Sequence, residues 1–159
     1  MEDKYLVIYY SYDGATKKVA KLIAETRNFD IVEVEPKEKG ERKGFSKYFW
    51  GGKQVFLKEL PELIDINVDF NNYETIILCS PIWAGTFTPP IRTLLEKEMI
   101  KNKRVVYVCT HDGGASKAFK KAEAAISKNN TFVLAKDYVK VAKNFNQLKN
   151  EIIEFANSL

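Results

Sequence analysis

What most constrains this chain is a set of four short, nearly unbroken apolar runs, rich in β-branched and aromatic residues. They are residues 5–10, 75–79, 104–109 and 131–135. A strand with one wet face alternates apolar with polar side chains, whereas an apolar run suits a strand covered on both faces, as in a parallel sheet between helical layers. A fifth run, residues 29–34, does alternate, as a strand at a sheet edge would. Between the runs, apolar residues recur at helical spacing. Val19, Leu22, Ile23 and Thr26 do so after Gly14, and Ile91, Leu94 and Leu95 after Pro89-Pro90. Ala115, Ala118, Phe119, Ala122 and Ile126 follow Gly113-Gly114, and Phe145, Leu148, Ile152, Phe155 and Ala156 lie near the carboxyl end. Strands alternating with helices predict right-handed crossovers. The expected fold is therefore α/β, a doubly wound five-stranded parallel sheet with helices on both faces.

The 159 residues fit one domain spanning 1–159, with no repeat or linker. One segment breaks the rhythm: residues 36–73 are too long for a simple crossover between the second and third strands. Within it Phe45, Tyr48, Phe49, Val55 and Phe56 predict a short aromatic helix weakened by Gly51-Gly52, and residues 62–70 read as irregular. The segment is either an elaborated crossover covering the sheet or a lid or docking surface beside a site.

Apolar residues at 45% and charged residues at 29% mark a globular chain. No apolar run approaches the ~20 residues of a membrane span, and the amino terminus lacks a signal pattern. The expectation is a cytoplasmic protein without membrane insertion. Cys79 and Cys109 each close an apolar run and fit buried, reduced thiols. With His111 the only histidine, little is available for a zinc site or a serine–histidine triad, so no metal site is expected. The net charge is +4, but basic residues are interleaved with acids, as in residues 37–43, which reads as a solvated surface rather than a nucleic-acid site.

Three loops follow strands, and the carboxyl ends of parallel strands share one edge, where ligands bind at the reversal of strand order. The first is Ser11-Tyr12-Asp13-Gly14-Ala15-Thr16. Its hydroxyls, its glycine and the free amides of a helix start make an anion cradle. The Gly-Lys-Ser/Thr end of a nucleoside-triphosphate loop is missing. The second, residues 80–90, contains Pro81, Ile82, Trp83, Ala84, Gly85, Thr86 and Phe87. Its main chain can serve a flat heterocycle while Trp83 supplies an aromatic wall, or Trp83 can simply cap the core. The third is Thr110-His111-Asp112-Gly113-Gly114, whose paired glycines allow close approach to a planar ligand. His111 can polarise such a ligand, face solvent or bond to a neighbour.

In this order and after these strands, the three loops resemble the flavodoxin family. The first resembles Ser/Thr-x-Thr/Ser-Gly-x-Thr, the second the Pro-Ile-Trp-x-Gly turn, and the third the Gly-Gly turn before a helix. The resemblance covers essentially the whole chain and implies strand order 2-1-3-4-5 and the cofactor FMN. It places residues 11–16 on the phosphate, residues 81–87 on the isoalloxazine ring, and His111, Asp112, Gly113 and Gly114 on its pyrimidine side. Two positions depart from the pattern. Asp13 stands where the family carries a hydroxyl, repelling a phosphate if turned inward or capping the helix if not, and Ala15 lacks a side-chain donor.

The implied function is electron carriage through FMN, with no side chain acting as nucleophile or general base. The redox partner is a protein or NAD(P)H, and the chain is a monomer or weak homodimer. An NAD(P)H-dependent FMN or quinone reductase is the alternative, with the aromatic segment bounding room for nicotinamide. A flavin-free signalling or binding domain of the same fold is a further one.

Overall fold

A computed structural model describes residues 3–37 and 60–159. The aromatic helix expected within residues 45–56 lies outside them. Strands β1 (Tyr5–Tyr9), β2 (Asp30–Glu33), β3 (Thr75–Trp83), β5 (Arg104–His111) and β6 (Thr131–Val139) form the parallel sheet. Their order is β2-β1-β3-β5-β6, and the two-residue strand β4 (Thr86–Phe87) folds back antiparallel on β3. Among the five parallel strands this is the expected order, with the reversal between β1 and β3.

Helices α1 (Ala15–Arg27) and α4 (Val141–Ser158) cover one face, and α2 (Pro89–Glu96) and α3 (Ser116–Ile126) the other. The strand pleat divides the core accordingly. Leu6, Ile8, Ile76, Leu78 and Tyr107 pack under α2 and α3, while Val7, Tyr9, Ile77 and Val108 pack under α1 and α4. Burial on both faces explains why these strands read as unbroken apolar runs. The helix α1 ends where Asn28 adopts a left-handed conformation (φ 52°) and its N–H, with that of Phe29, donates to the Ala24 carbonyl.

The pairing also settles the cysteines. Cys79 lies opposite Val108 and Ser80 opposite Cys109, so the two thiols fall in cores on opposite faces of the sheet. Both are free and buried. Burial, with the nearby Asp137 carboxylate adding to it, pushes the Cys109 thiol up to about 12.

Between β2 and β3 the described residues carry one isolated bridge, Pro36 to Leu63, and a short 3-10 turn, Phe70–Asn72. Residues 62–69 otherwise lack helix or strand, as their composition suggests. No described helix is long and apolar enough to cross a membrane.

Candidate functional site

The first loop leaves β1 and turns into α1 through Gly14, whose φ of 96° is strained for any residue with a side chain. The Gly14 N–H donates to Ser11 Oγ at 3.1 Å, and the Ala15 N–H donates to Asp13 Oδ1 at 3.1 Å. Asp13 thus answers a helix-start amide, where a carboxylate is electrostatically welcome. Thr16 is buried, and its hydroxyl pairs with that of Thr110 on β5 at 2.8 Å. Both loop hydroxyls therefore serve the protein's own hydrogen bonding.

The second loop differs from the proline-fixed turn expected of residues 80–90. Strand β3 continues through Pro81 to Trp83, reverses at Ala84-Gly85, and returns as β4. Ala84 (φ 48°) and Gly85 (φ 74°) both have positive φ, the geometry a two-residue hairpin turn requires. Pro81 is tolerated because it stands near the carboxyl end of its strand, where one ladder donor is dispensable. Ser80 Oγ sits 3.1 Å from Thr88 Oγ1 and accepts the Thr88 N–H at 3.3 Å, closing the hairpin base. At the tip, the Trp83 ring meets Tyr10 and Tyr12 edge-on, with centroids 5.8 and 5.7 Å away. Phe87 is buried in the core, so it cannot touch a ligand without rearrangement.

At the third loop the His111 side chain is only 6% exposed. Its Nε2 lies 2.8 Å from Asp137 Oδ2 on β6, while its Nδ1 is buried with no hydrogen-bonding partner. Of the three roles open to His111, bonding to a neighbour is thus realised. Beyond β6 the chain makes a further turn. Lys140 holds φ at 52°, donates its N–H to the His111 carbonyl at 2.8 Å, and accepts from the Lys143 and Asn144 amides at the start of α4.

These turns meet in one open cleft of about 390 Å3 at the carboxyl ends of the strands. Tyr12, Asp13 and Ala15 line it from the first loop, Pro81, Ile82 and Trp83 from the second, and His111 and Asp112 from the third. The other expected residues surround the cleft without lining it. Ser11, Gly14 and Thr16 lie behind its first wall, Ala84, Gly85, Thr86 and Phe87 complete the hairpin, and Gly113 and Gly114 continue toward α3 on the exposed surface. Thr110 and residues 140–143 line it as well and had drawn no attention in the sequence. Among the described residues no cluster of His, Cys, Asp and Glu is arranged for a metal ion. A larger hollow of about 670 Å3 lies elsewhere, between residues 62–67 and α2.

Comparisons with known proteins agree with this fold. A family model described as flavodoxin matches residues 4–152. The crystal structure of a flavoprotein in complex with FMN from Lactobacillus acidophilus NCFM superposes with a TM-score of 0.76 at 24% identity, covering 92% of this chain and 98% of that one. The apo-form flavoprotein from the same organism, solved by NMR, gives 0.68 at 30% identity, covering 90% and 97%. A flavodoxin from the domain Archaea gives 0.55 at 15% identity, covering 98% and 97%. No curated protein sequence matches.

Proposed function

The chain belongs to the flavodoxin family, and from that premise we propose that it binds one FMN in the strand-end cleft and serves as an electron carrier. The observation that carries the proposal is the convergence of three strand-end turns on one cleft where the strand order reverses, which is where such sheets place their ligand. The residues present suit the cofactor. Trp83 offers an aromatic wall held by Tyr10 and Tyr12. His111, buried and held by Asp137, forms part of the cleft wall. The helix starts at 15–16 and 141–142 supply main-chain amides with a partial positive charge.

Bound FMN supplies one- or two-electron chemistry, and the protein's share is to position and tune it. The β3–β4 hairpin positions. Its Ala84-Gly85 peptide is the one whose reorientation costs least, because glycine tolerates either sign of φ. Asp137 holds the His111 ring by one nitrogen, so the imidazole keeps a fixed orientation on the cleft wall. Asp112, exposed at the rim, adds negative charge that disfavours electron uptake by Coulomb repulsion.

The cleft volume lies near the lower end of the roughly 300–1,000 Å3 typical of ligand sites. A cleft of that size holds one flavin, and the carrier reading requires no second nucleotide beside it. The test is to mix FMN-loaded protein anaerobically with NADH or NADPH and follow the flavin absorbance. A carrier keeps its colour over minutes and loses it with dithionite. Prompt bleaching by either nucleotide overturns the carrier reading in favour of the reductase, and failure to bind FMN at all overturns both.

A further inference from the structure

We propose that Lys140 and Lys143, at the turn after β6, supply the counter-charge for the cofactor's phosphate that the first loop does not. This inference rests on FMN being the ligand of the cleft.

The first loop is poorly equipped for a dianion on its own. Ser11 Oγ accepts the Gly14 N–H and has one O–H left to offer, and the Thr16 hydroxyl is buried against Thr110. Position 15 has no side-chain donor, and position 13 is a carboxylate that lines the cleft. Its Oδ1 accepts from the Ala15 N–H, which consumes one of the helix-start amides a phosphate would use. A phosphate ester carries about −1.5 to −2 charges at neutral pH, so the loop by itself sets like charge against like.

The turn after β6 reverses the sign. Lys140, Val141, Ala142 and Lys143 line the same cleft beside Thr110 and His111. Both lysines are exposed, and neither makes an ion pair or a side-chain hydrogen bond with the described residues. Asp137, three residues before Lys140, is committed to His111. The acids that line the cleft with the lysines are Asp13 on the first loop and Asp112 on the third. The backbone reinforces the placement. Lys140 is held at φ 52° by donating its N–H to the His111 carbonyl, and its own carbonyl accepts the Lys143 and Asn144 amides. This directs the start of α4 to the cleft, so two helix starts and two lysines share one hollow with His111.

The experiment compares FMN with riboflavin, which lacks only the phosphate, by titrating apoprotein and reading flavin fluorescence quenching. The variant Lys140→Asn/Lys143→Gln removes both charges, and asparagine suits the left-handed conformation at 140. Loss of two charge-assisted contacts should weaken FMN binding by about 10- to 100-fold while riboflavin changes by less than about twofold. A second arm needs no variant. Wild-type affinity for FMN should fall as salt rises from about 50 to 500 mM, and affinity for riboflavin should not. Equal weakening of both flavins in the variant, or an FMN affinity indifferent to the substitutions, overturns the role of the lysines and leaves the FMN reading standing. Wild-type protein that binds neither flavin overturns both.

Discussion

The two long walls of the cleft are held by opposite means. The β3–β4 hairpin is an extension of the sheet, with Ser80 and Thr88 joined at its base and Phe87 sunk in the core. The facing wall is two helix starts, residues 13–16 and 140–143. One hydroxyl pair ties the first to β5, and one backbone hydrogen bond ties the second. A wall continuous with the sheet cannot change without a loss of stability. A wall of helix starts can change its charge while the fold stays put. The first therefore fixes the shape the cleft accepts, and the second the charge.

Truncating the hairpin's anchor gives the largest expected effect. Phe87 lies in the core cluster that includes Ile91 and Leu94 of α2, and the Arg92 guanidinium lies over its ring at 5.1 Å. Phe87→Ala should lower unfolding free energy by about 3–5 kcal/mol, as buried aromatic truncations do. A shifted urea midpoint with an unchanged slope would report it. A loss below about 1 kcal/mol would mean that the hairpin is an appendage, and the contrast between the walls would fail.

A smaller effect is expected where the helix-start wall touches the sheet. Thr16→Val leaves the buried Thr110 hydroxyl without its 2.8 Å partner. That costs about 1–3 kcal/mol of stability, and adding Thr110→Val should recover much of it, since removing both partners spares the unpaired one. Read from the sequence, Thr16 is a phosphate ligand. With its hydroxyl turned to Thr110, stability should fall before affinity does. Loss of FMN affinity at an unchanged melting temperature would put that hydroxyl on the ligand after all.

The same contrast explains what could be read in advance. Strand positions, helix faces and the first and third loops were legible, because burial on both faces writes itself as apolar runs and because Gly14 and Gly113-Gly114 punctuate the chain; the strand order came from the family resemblance alone. The hairpin was hidden by Pro81, which in a sequence argues for a turn, and the end of β6 by its side chains. Lys136 and Asp137 break the apolar run at Ala135, yet the strand continues to Val139. It can do so because Lys136 pairs with Glu151 and Asp137 with His111, partners far off in sequence. With that strand end unseen, the turn holding Lys140 and Lys143 could not be placed beside the cleft. Apolar periodicity reports what is buried, and this wall is built from what is exposed.

The smallest effect discriminates most finely between shape and charge. Asp13→Asn keeps an oxygen able to accept the Ala15 N–H and removes only the charge. Asparagine is as good a residue as aspartate at a helix start, so stability should move by less than about 0.5 kcal/mol. FMN binding should tighten a few-fold, because the cleft then sets two lysines against the phosphate with one opposing carboxylate fewer. The gain should be absent for riboflavin and should shrink with added salt, since interactions of exposed charges are screened. If FMN binds more weakly to Asp13→Asn, the carboxylate must be organising the loop through more than its charge. The helix-start wall would then be shaped as rigidly as the hairpin it faces.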